Sequence, residues 1–413
     1  MTEGGRFTSR VGAIAASALA SDLARHPGPK HGLLIDVPAG SPVLDAAVDT
    51  LRPDDTLTVV AGASAPEVRE HMRRAGEWVE RRVRVVETLA EADPADSVIS
   101  GELASGGADE VRAELDGLAK HLNPGAVVSV AVAAAPFLAG GAGEELDRQA
   151  ALFGVGTDLV LRNAPPVRVH RLRFSPADAA LAERLAPLRR TSSVRVGRAY
   201  VDSNGVAAAA ICLGAAALVR RARPRSRLWL LPALVAAPVS AFFRDPERTV
   251  PDDPTAVVAA SDGKVLGVDV VTDDRVGDAE YLRISVFLSV LDVHVNRAPV
   301  AGRVVDQFVV DGGFVAAMNP LAEHNVSAYT LIETPRGTVA VAQRTGLIAR
   351  RIVHRAPVGS LLAKGERFGL IRFGSRTDVY LPAGTATVAV STGDRVRGAE
   401  TVIARWLPRS ARS

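Results

Sequence analysis

Two apolar runs without a single charge, GVAAAAICLGAAALV (205–219) and LWLLPALVAAPVSAFF (228–243), flank Arg220, Arg221, Arg223, Arg225 and Arg227. No other feature restricts the fold so strongly. Each run is shorter than the ~20 residues a helix needs to cross ~30 Å of hydrocarbon. One reading is a helical hairpin buried in a core, for which a turn of five arginines and Pro224 is awkward. The favoured reading is a membrane hairpin. If both arms spanned, the arginine loop would be cytoplasmic and both flanking regions would lie outside. That conflicts with the amino terminus, MTEGGRFTSRVGAIAASALASDLARH, where Arg, Asp and Ser are scattered and no basic-then-apolar signal is present. A shallow hairpin resolves the conflict. It inserts from the cytoplasmic face of the cell membrane, with arginines snorkelling to anionic headgroups. The basic run is then directed at lipid, and no nucleic-acid partner is expected.

The hairpin separates two textures in a chain of 413 residues, enough for two or three domains. Residues 1–190 alternate strand and helix patterns. Strand-like runs occur at 31–40, 55–62, 83–89, 96–102, 125–133, 157–164 and 167–174; helical spacing occurs at 42–51, 65–82, 108–122 and 143–155. This predicts a doubly wound α/β sheet. The order of a helix, LNPGAVVSVAVA, a second helix and two closing strands resembles class I S-adenosylmethionine-dependent methyltransferases. The first loop reads IDVPAGSP, with Gly40 alone, and the second strand ends VVAGAS without an acidic residue. The resemblance therefore implies a degenerate methyltransferase-like domain; whether it binds S-adenosylmethionine is left open. The sole cysteine, Cys212, rules out an intrachain disulfide or a Cys-based zinc site and is expected to be a small buried hydrophobe.

From 244 to 413, short apolar runs are punctuated by Gly, Pro and Asp, which predicts a β-rich sandwich or barrel. Within it lies ERFGLIRFGSRTDVYLPAG (366–384), where Gly374-Ser375 interrupts what otherwise reads as strand. By itself the pair is an ordinary β-turn. Its company is more informative: FFRDPER (242–248), SDGKV (261–265), FLSVLDVHVNRAPVAGRV (287–304), NPLAEHNVSAYTLI (319–332) and GLIARRIV (346–353) precede it in that order. The set, over about 242–405, resembles phosphatidylserine decarboxylase proenzymes of the short bacterial and archaeal-type branch.

The resemblance implies that the chain cuts itself. The Ser375 hydroxyl attacks the Gly374 carbonyl, the peptide becomes an ester, and β-elimination followed by hydrolysis leaves a pyruvoyl group at 375. A β chain of 1–374 and an α chain of 375–413 result. The pyruvoyl carbonyl then serves as electron sink for decarboxylation of phosphatidylserine to phosphatidylethanolamine, with no metal. A glycine before the nucleophile suits a strained turn, and the nucleophile needs a base and an oxyanion donor. Asp262 matches the acidic member of the family's processing triad; by itself it is an Asp-Gly turn. His294 is the leading acid or base candidate. Arg297 stands where long-branch relatives carry a second histidine, and a guanidinium cannot act as a base near neutrality. Arg297 and Arg376 are instead candidates for the lipid phosphate or carboxylate, with Arg350, Arg351 and Arg372 as further cations. His324, followed by Asn325, and His354 are reserve candidates. Alternatives are a decarboxylase of a related serine lipid or a soluble amino acid, a bifunctional enzyme that also methylates its product, or a non-maturing membrane scaffold. A homo-oligomer is left open.

Overall fold

The computed structural model describes residues 11–38, 40–188, 193–196, 199–347, 352–371 and 375–408. The chain divides into two compact units, one of residues 1–178 with 184–191 and the other of 179–183 with 192–413.

The first unit is built on strands β1 (His31–Ile35), β2 (Thr56–Val60), β3 (Val83–Val86), β4 (Ala95–Ala104), β5 (Leu122–Ala133), β6 (Gly154–Val160) and β7 (Val167–Leu172). Their order is β3-β2-β1-β4-β5-β7-β6 in one seven-stranded sheet. β1 pairs in parallel with both β2 and β4, and β7 runs antiparallel to β5 and β6. Successive apolar residues supply both faces. Leu34, Val59 and Ile99 pack into one core, while Leu33, Val98 and Val128 pack into another. Helices cover each side: α1 (Ala13–Leu19), α2 (Ser21–Arg25), α3 (Pro42–Val48), α4 (Ala65–Ala75) and α5 (Glu77–Glu80) come before β3, and α6 (Ala108–Leu118) and α7 (Pro136–Phe153) flank β5. The doubly wound expectation holds. The single helix expected over 65–82 is instead α4 and α5, because Gly76 sits at φ 112° and ends the first helix.

In the second unit a short antiparallel strand pair, Ser193–Val196 with Ala199–Asp202, leads into α8 (Ser203–Ala222) and α9 (Leu230–Phe242). α8 is longer than the apolar run alone indicated. The Asp202 carboxylate caps it by accepting from Asn204 N at 2.9 Å, and Arg220 and Arg221 extend it at the end where cations suit the helix dipole. Its 20 residues span about 30 Å. Among the described residues it is the helix long and apolar enough to cross a membrane, and only 11% of its apolar window is buried. A core hairpin would be buried, so that alternative does not fit. For the same reason Cys212, expected inside, is only half-buried.

The rest of the unit centres on an antiparallel sheet. Its strands, with those of a smaller sheet, are β8 (Gly263–Asp273), β9 (Gly277–Leu288), β10 (Val295–Arg297), β11 (Gly302–Val310), β12 (Ser327–Thr334), β13 (Gly337–Arg344), β14 (Ile352–His354), β15 (Leu361–Leu362), β16 (Arg367–Ile371), β17 (Ser375–Pro382) and β18 (Arg395–Val396). Eight of them form the large sheet in the order β15-β11-β12-β13-β17-β9-β8-β18, and the smaller sheet is β10-β16-β14. β17 is thus an interior strand, hydrogen-bonded to β9 on one side and β13 on the other.

Candidate active site

Side chains alternate along β17. Ser375, Thr377, Val379 and Leu381 share one face, and Val379 and Leu381 lie in the core with Ile284 and Val341. Arg376, Asp378 and Tyr380 take the other face, where Tyr380 packs with Tyr329. Ser375 is the first residue of the strand, opposite Leu288, and is fully buried. Among the described residues its Oγ has no hydrogen-bond partner. Buried hydroxyls are normally paired, so this one calls for an explanation.

His294 lies just before β10. Its backbone oxygen accepts from Ile371 N at 3.2 Å, which brings it beside the end of β16, from which the chain leads to Ser375. Nδ1 is 2.9 Å from the Asp292 carbonyl. A carbonyl only accepts, so Nδ1 carries the proton and Nε2 is the bare nitrogen. Nε2 is buried without a partner. The ring packs on Phe242 at 4.3 Å between centroids. Burial, partly offset by the Asp292 carbonyl and charge, lowers the His294 pKa to about 4. The imidazole is therefore neutral near pH 7 with its lone pair facing inward. His354, across from Gly369, is also pushed down by burial, and neither ring nitrogen has a partner. His324 is on the surface, 3.6 Å from Glu323.

Asp262 accepts from Arg248 Nη2 at 2.7 Å and from Gly398 N at 2.8 Å. Among the described residues no histidine hydrogen-bonds to it. Its neighbour Ser261 makes the direct link to the site, with its hydroxyl 2.6 Å from Thr377 Oγ1. Gly374, Arg350, Arg351 and Arg372 lie outside the described residues.

Both arginines expected to meet substrate are committed inside the protein. Arg297 donates to Asp245 at 3.0 Å, to the Pro246 carbonyl at 2.8 Å and to the Gly365 carbonyl at 3.3 Å. Burial, then the charge of Arg367, lowers its pKa to about 10. Asp245 also takes Arg367 Nε at 2.5 Å and the Ser193 hydroxyl at 2.7 Å. Arg297 thus braces the segment that leaves α9 against β10. Arg376 points away from the Ser375 face. It donates to Asp378 at 2.6 Å and to the Ser285 hydroxyl at 3.0 Å. Asp378 accepts in turn from Arg344 at 2.6 Å. Burial would raise the Asp378 carboxyl, but the two guanidiniums outweigh it and hold it below the usual range. Arg344 continues to the Tyr329 and Tyr380 hydroxyls, each at 2.9 Å.

A pair not singled out in the sequence lies on the Ser375 face. Gln343 Nε2 donates to Asn296 Oδ1 at 2.6 Å, both residues are fully buried, and Asn296 Nδ2 and Gln343 Oε1 have no partner. Gly369 makes room for them: a Cβ there would sit 2.7 Å from the Val353 carbonyl oxygen and 3.1 Å from Gln343 Nε2. The sequence did carry a trace. Asn296 is two residues from His294, and Gln343 holds the apolar parity of TVAVAQ.

A buried serine at a strand start, a neutral buried histidine and an unsaturated amide pair make up a serine-centred candidate site in a β-domain. The family model for phosphatidylserine decarboxylase matches residues 235–404. A phosphatidylserine decarboxylase proenzyme from Erythrobacter litoralis is 46% identical over 187 residues, covering 42% of this chain and 75% of the relative. One from Symbiobacterium thermophilum is 47% identical over 182 residues, covering 43% and 84%. The chain belongs to the phosphatidylserine decarboxylase family. Among solved structures, an O-methyltransferase from Streptomyces achromogenes is similar at 19% identity and TM-score 0.32, covering 40% of this chain and 82% of that one. One from Bacillus cereus follows at 15% and 0.30, covering 40% and 83%.

The first unit has a pocket of its own, of about 260 Å³, beside the ends of β1 and β4, where the strand order reverses. Asp36, Glu102 and Glu114 line it among apolar side chains. Burial, then the neighbouring Asp36, raises the Glu114 pKa to about 7.

Proposed function

We propose that the chain cuts itself between Gly374 and Ser375 and then decarboxylates phosphatidylserine to phosphatidylethanolamine. The unpartnered Ser375 hydroxyl carries this reading. In the cut, Oγ bonds to the Gly374 carbonyl carbon while the Gly374–Ser375 C–N bond breaks. The hydroxyl proton passes to a base and the amine is left on residue 375. β-Elimination then releases 1–374 as a carboxylate, and hydrolysis of the remaining enamine gives ammonia and a ketone at 375. His294 Nε2, neutral, buried and bare, is the acceptor we assign to the hydroxyl proton. His354 is the second candidate. Asp262 acts at one remove, holding Arg248 and positioning Ser261 against Thr377.

The site fits a serine-derived pyruvoyl group. Among the described residues Ser375 Oγ makes no hydrogen bond, so losing that oxygen with the upstream carboxylate, which leaves a methyl at Cβ and the carbonyl at Cα, strands no partner of the hydroxyl. Such a group supplies the carbonyl that holds the substrate amine and accepts the electron pair left by carbon dioxide. The chain's own residues do the rest. β9 and β13 keep β17 in place after the cut, and the Arg344–Asp378–Arg376 pairs lock its far face. Asn296 Nδ2 offers a buried donor to substrate oxygen. Headgroup binding by Arg297 or Arg376 would break a buried ion pair, at a cost of about 3–5 kcal/mol. The two guanidiniums are therefore braces in this reading. α8 and α9 hold the enzyme at the cytoplasmic face of the membrane, with the intervening arginines at the headgroups.

The test is intact-mass analysis of the purified chain. Two chains are expected, with the smaller beginning at a blocked residue 375 that gains hydrogen on borohydride treatment. Phosphatidylserine in vesicles should lose carbon dioxide. An uncleaved wild-type chain overturns the reading and leaves a lipid-binding scaffold.

A further inference from the structure

Beyond the hairpin, a second surface of this unit is apolar, and the topology gathers it at one end of the large sheet. β9 ends at Leu288 opposite Ser375, and Val290 and Leu291 follow it, 49% and 82% exposed. β11 ends at Val310 opposite Ser327, Ser327 pairs with Arg344, and Arg344 pairs with Arg376, so the segment from β11 to β12 is at the same end. It exposes Met318 at 64% and Leu321 at 61%. Leu347, after β13, is 68% exposed. The opposite end is different. Its turns are Asp274-Arg275-Val276, Pro335-Arg336 and Ala383-Gly384, and none exposes a large apolar side chain, Leu407 beside them being 39% exposed.

This exposure is built into the fold. Asn325 pins the β11–β12 segment, accepting from Val315 N at 2.9 Å and donating to the Val315 and Thr345 carbonyls at 2.8 and 2.7 Å. Nearby acids are matched, Glu323 by Arg283 at 3.4 Å and Asp292 by Arg395 at 3.1 Å. The surface also runs on into the hairpin. Arg244, just beyond α9, donates to the Leu291 carbonyl, and Phe242 in α9 packs on His294.

We infer that this end of the sheet is a lipid-penetrating rim. Leu291, Met318, Leu321 and Leu347 enter the boundary between headgroups and acyl chains, so a phosphatidylserine headgroup meets the Ser375 end of the sheet without leaving the bilayer. The inference rests on the decarboxylase reading for its substrate. Single isolated leucines at a surface need no explanation, but several gathered at the Ser375 end of one sheet do.

The test places tryptophan at Leu291→Trp and, separately, Leu321→Trp in full-length protein carrying Trp78→Phe, Trp229→Phe and Trp406→Phe, with Asp274→Trp as the control at the opposite end. Vesicles of phosphatidylcholine and phosphatidylglycerol with brominated acyl chains should quench the first two and spare the control. In parallel, Leu291→Asp with Leu321→Asp should slow turnover of phosphatidylserine in vesicles by at least about tenfold, as expected when two leucines are withheld from an apolar phase. Self-cleavage and turnover of a monomeric short-chain phosphatidylserine should stay within about twofold, since neither leucine touches the Ser375 site. Quenching of Trp229 in a chain carrying Trp78→Phe and Trp406→Phe, without quenching at 291 and 321, overturns the rim and leaves the hairpin reading standing. A dimer abolished by the double aspartate variant overturns it in favour of a second copy. No turnover of either substrate by the parent chain points instead to failure of the decarboxylase reading.

Discussion

The two faces of β17 are built to opposite rules. On one face Arg376, Asp378 and Tyr380 are saturated, each polar group meeting a partner in a chain that runs through Arg344. On the other, Thr377 Oγ1 meets Ser261, but Ser375 Oγ, Gln343 Oε1 and Asn296 Nδ2, just as deeply buried, have no partner among the described residues. A few ångströms of backbone separate them, so access of water does not explain the contrast. Saturation is what a strand needs to stay in place after its own chain is cut. Lack of partners is what a site needs if its hydrogen bonds are to form only with reacting groups.

Perturbing each face should therefore give different losses. Ser375→Ala should abolish cleavage and decarboxylation completely while the chain stays folded and intact by mass; a cleaved Ser375→Ala chain would break the comparison outright. His294→Gln should slow self-cleavage by roughly 10²–10⁴-fold, the usual worth of a positioned base. A rate unchanged within twofold, with His354→Gln slowed instead, would move the base to the other histidine. Asp378→Asn leaves two buried guanidiniums uncompensated. It should cost about 3–5 kcal/mol in denaturant unfolding, and it should affect cleavage only through stability. Ser261→Ala removes one bond to Thr377 and should cost about 1 kcal/mol.

The pH dependence sharpens the same contrast. His294 is neutral when folded, with its pKa lowered to about 4, and charges at an ordinary imidazole pKa when unfolded. Its share of stability is therefore full above about pH 6.5 and is lost as pH falls toward the folded value. The wild type should lose stability over that window more steeply than His294→Gln, as read from unfolding midpoints at successive pH values.

Much of this was legible in the sequence because it is periodic or local. Strand–helix alternation and apolar strands predicted the first unit's sheet, and the run beside the arginines predicted α8 and α9. Ordered motifs pointed to Ser375, His294 and Asp262. The errors have physical causes too. Gly76 at positive φ split a helix that apolar spacing drew as one. Arg297 and Arg376 looked like anion binders because a guanidinium fork reads the same whether its carboxylate belongs to a ligand or to the protein. Asp245 is 52 residues from Arg297, and no pattern of spacing links them.

The sequence by itself determined the α/β and β-rich halves, the apolar hairpin between them, and the strand that carries Ser375, since each follows from residue type and period along the chain. Only the tertiary structure decided which polar groups are matched. It sent Arg376 to the face away from Ser375, gave Arg297 to Asp245, and set Asn296 against Gln343. Pairing of buried charges and amides is fixed by contacts between strands far apart in sequence, and burial makes each such pairing, or its absence, energetically decisive.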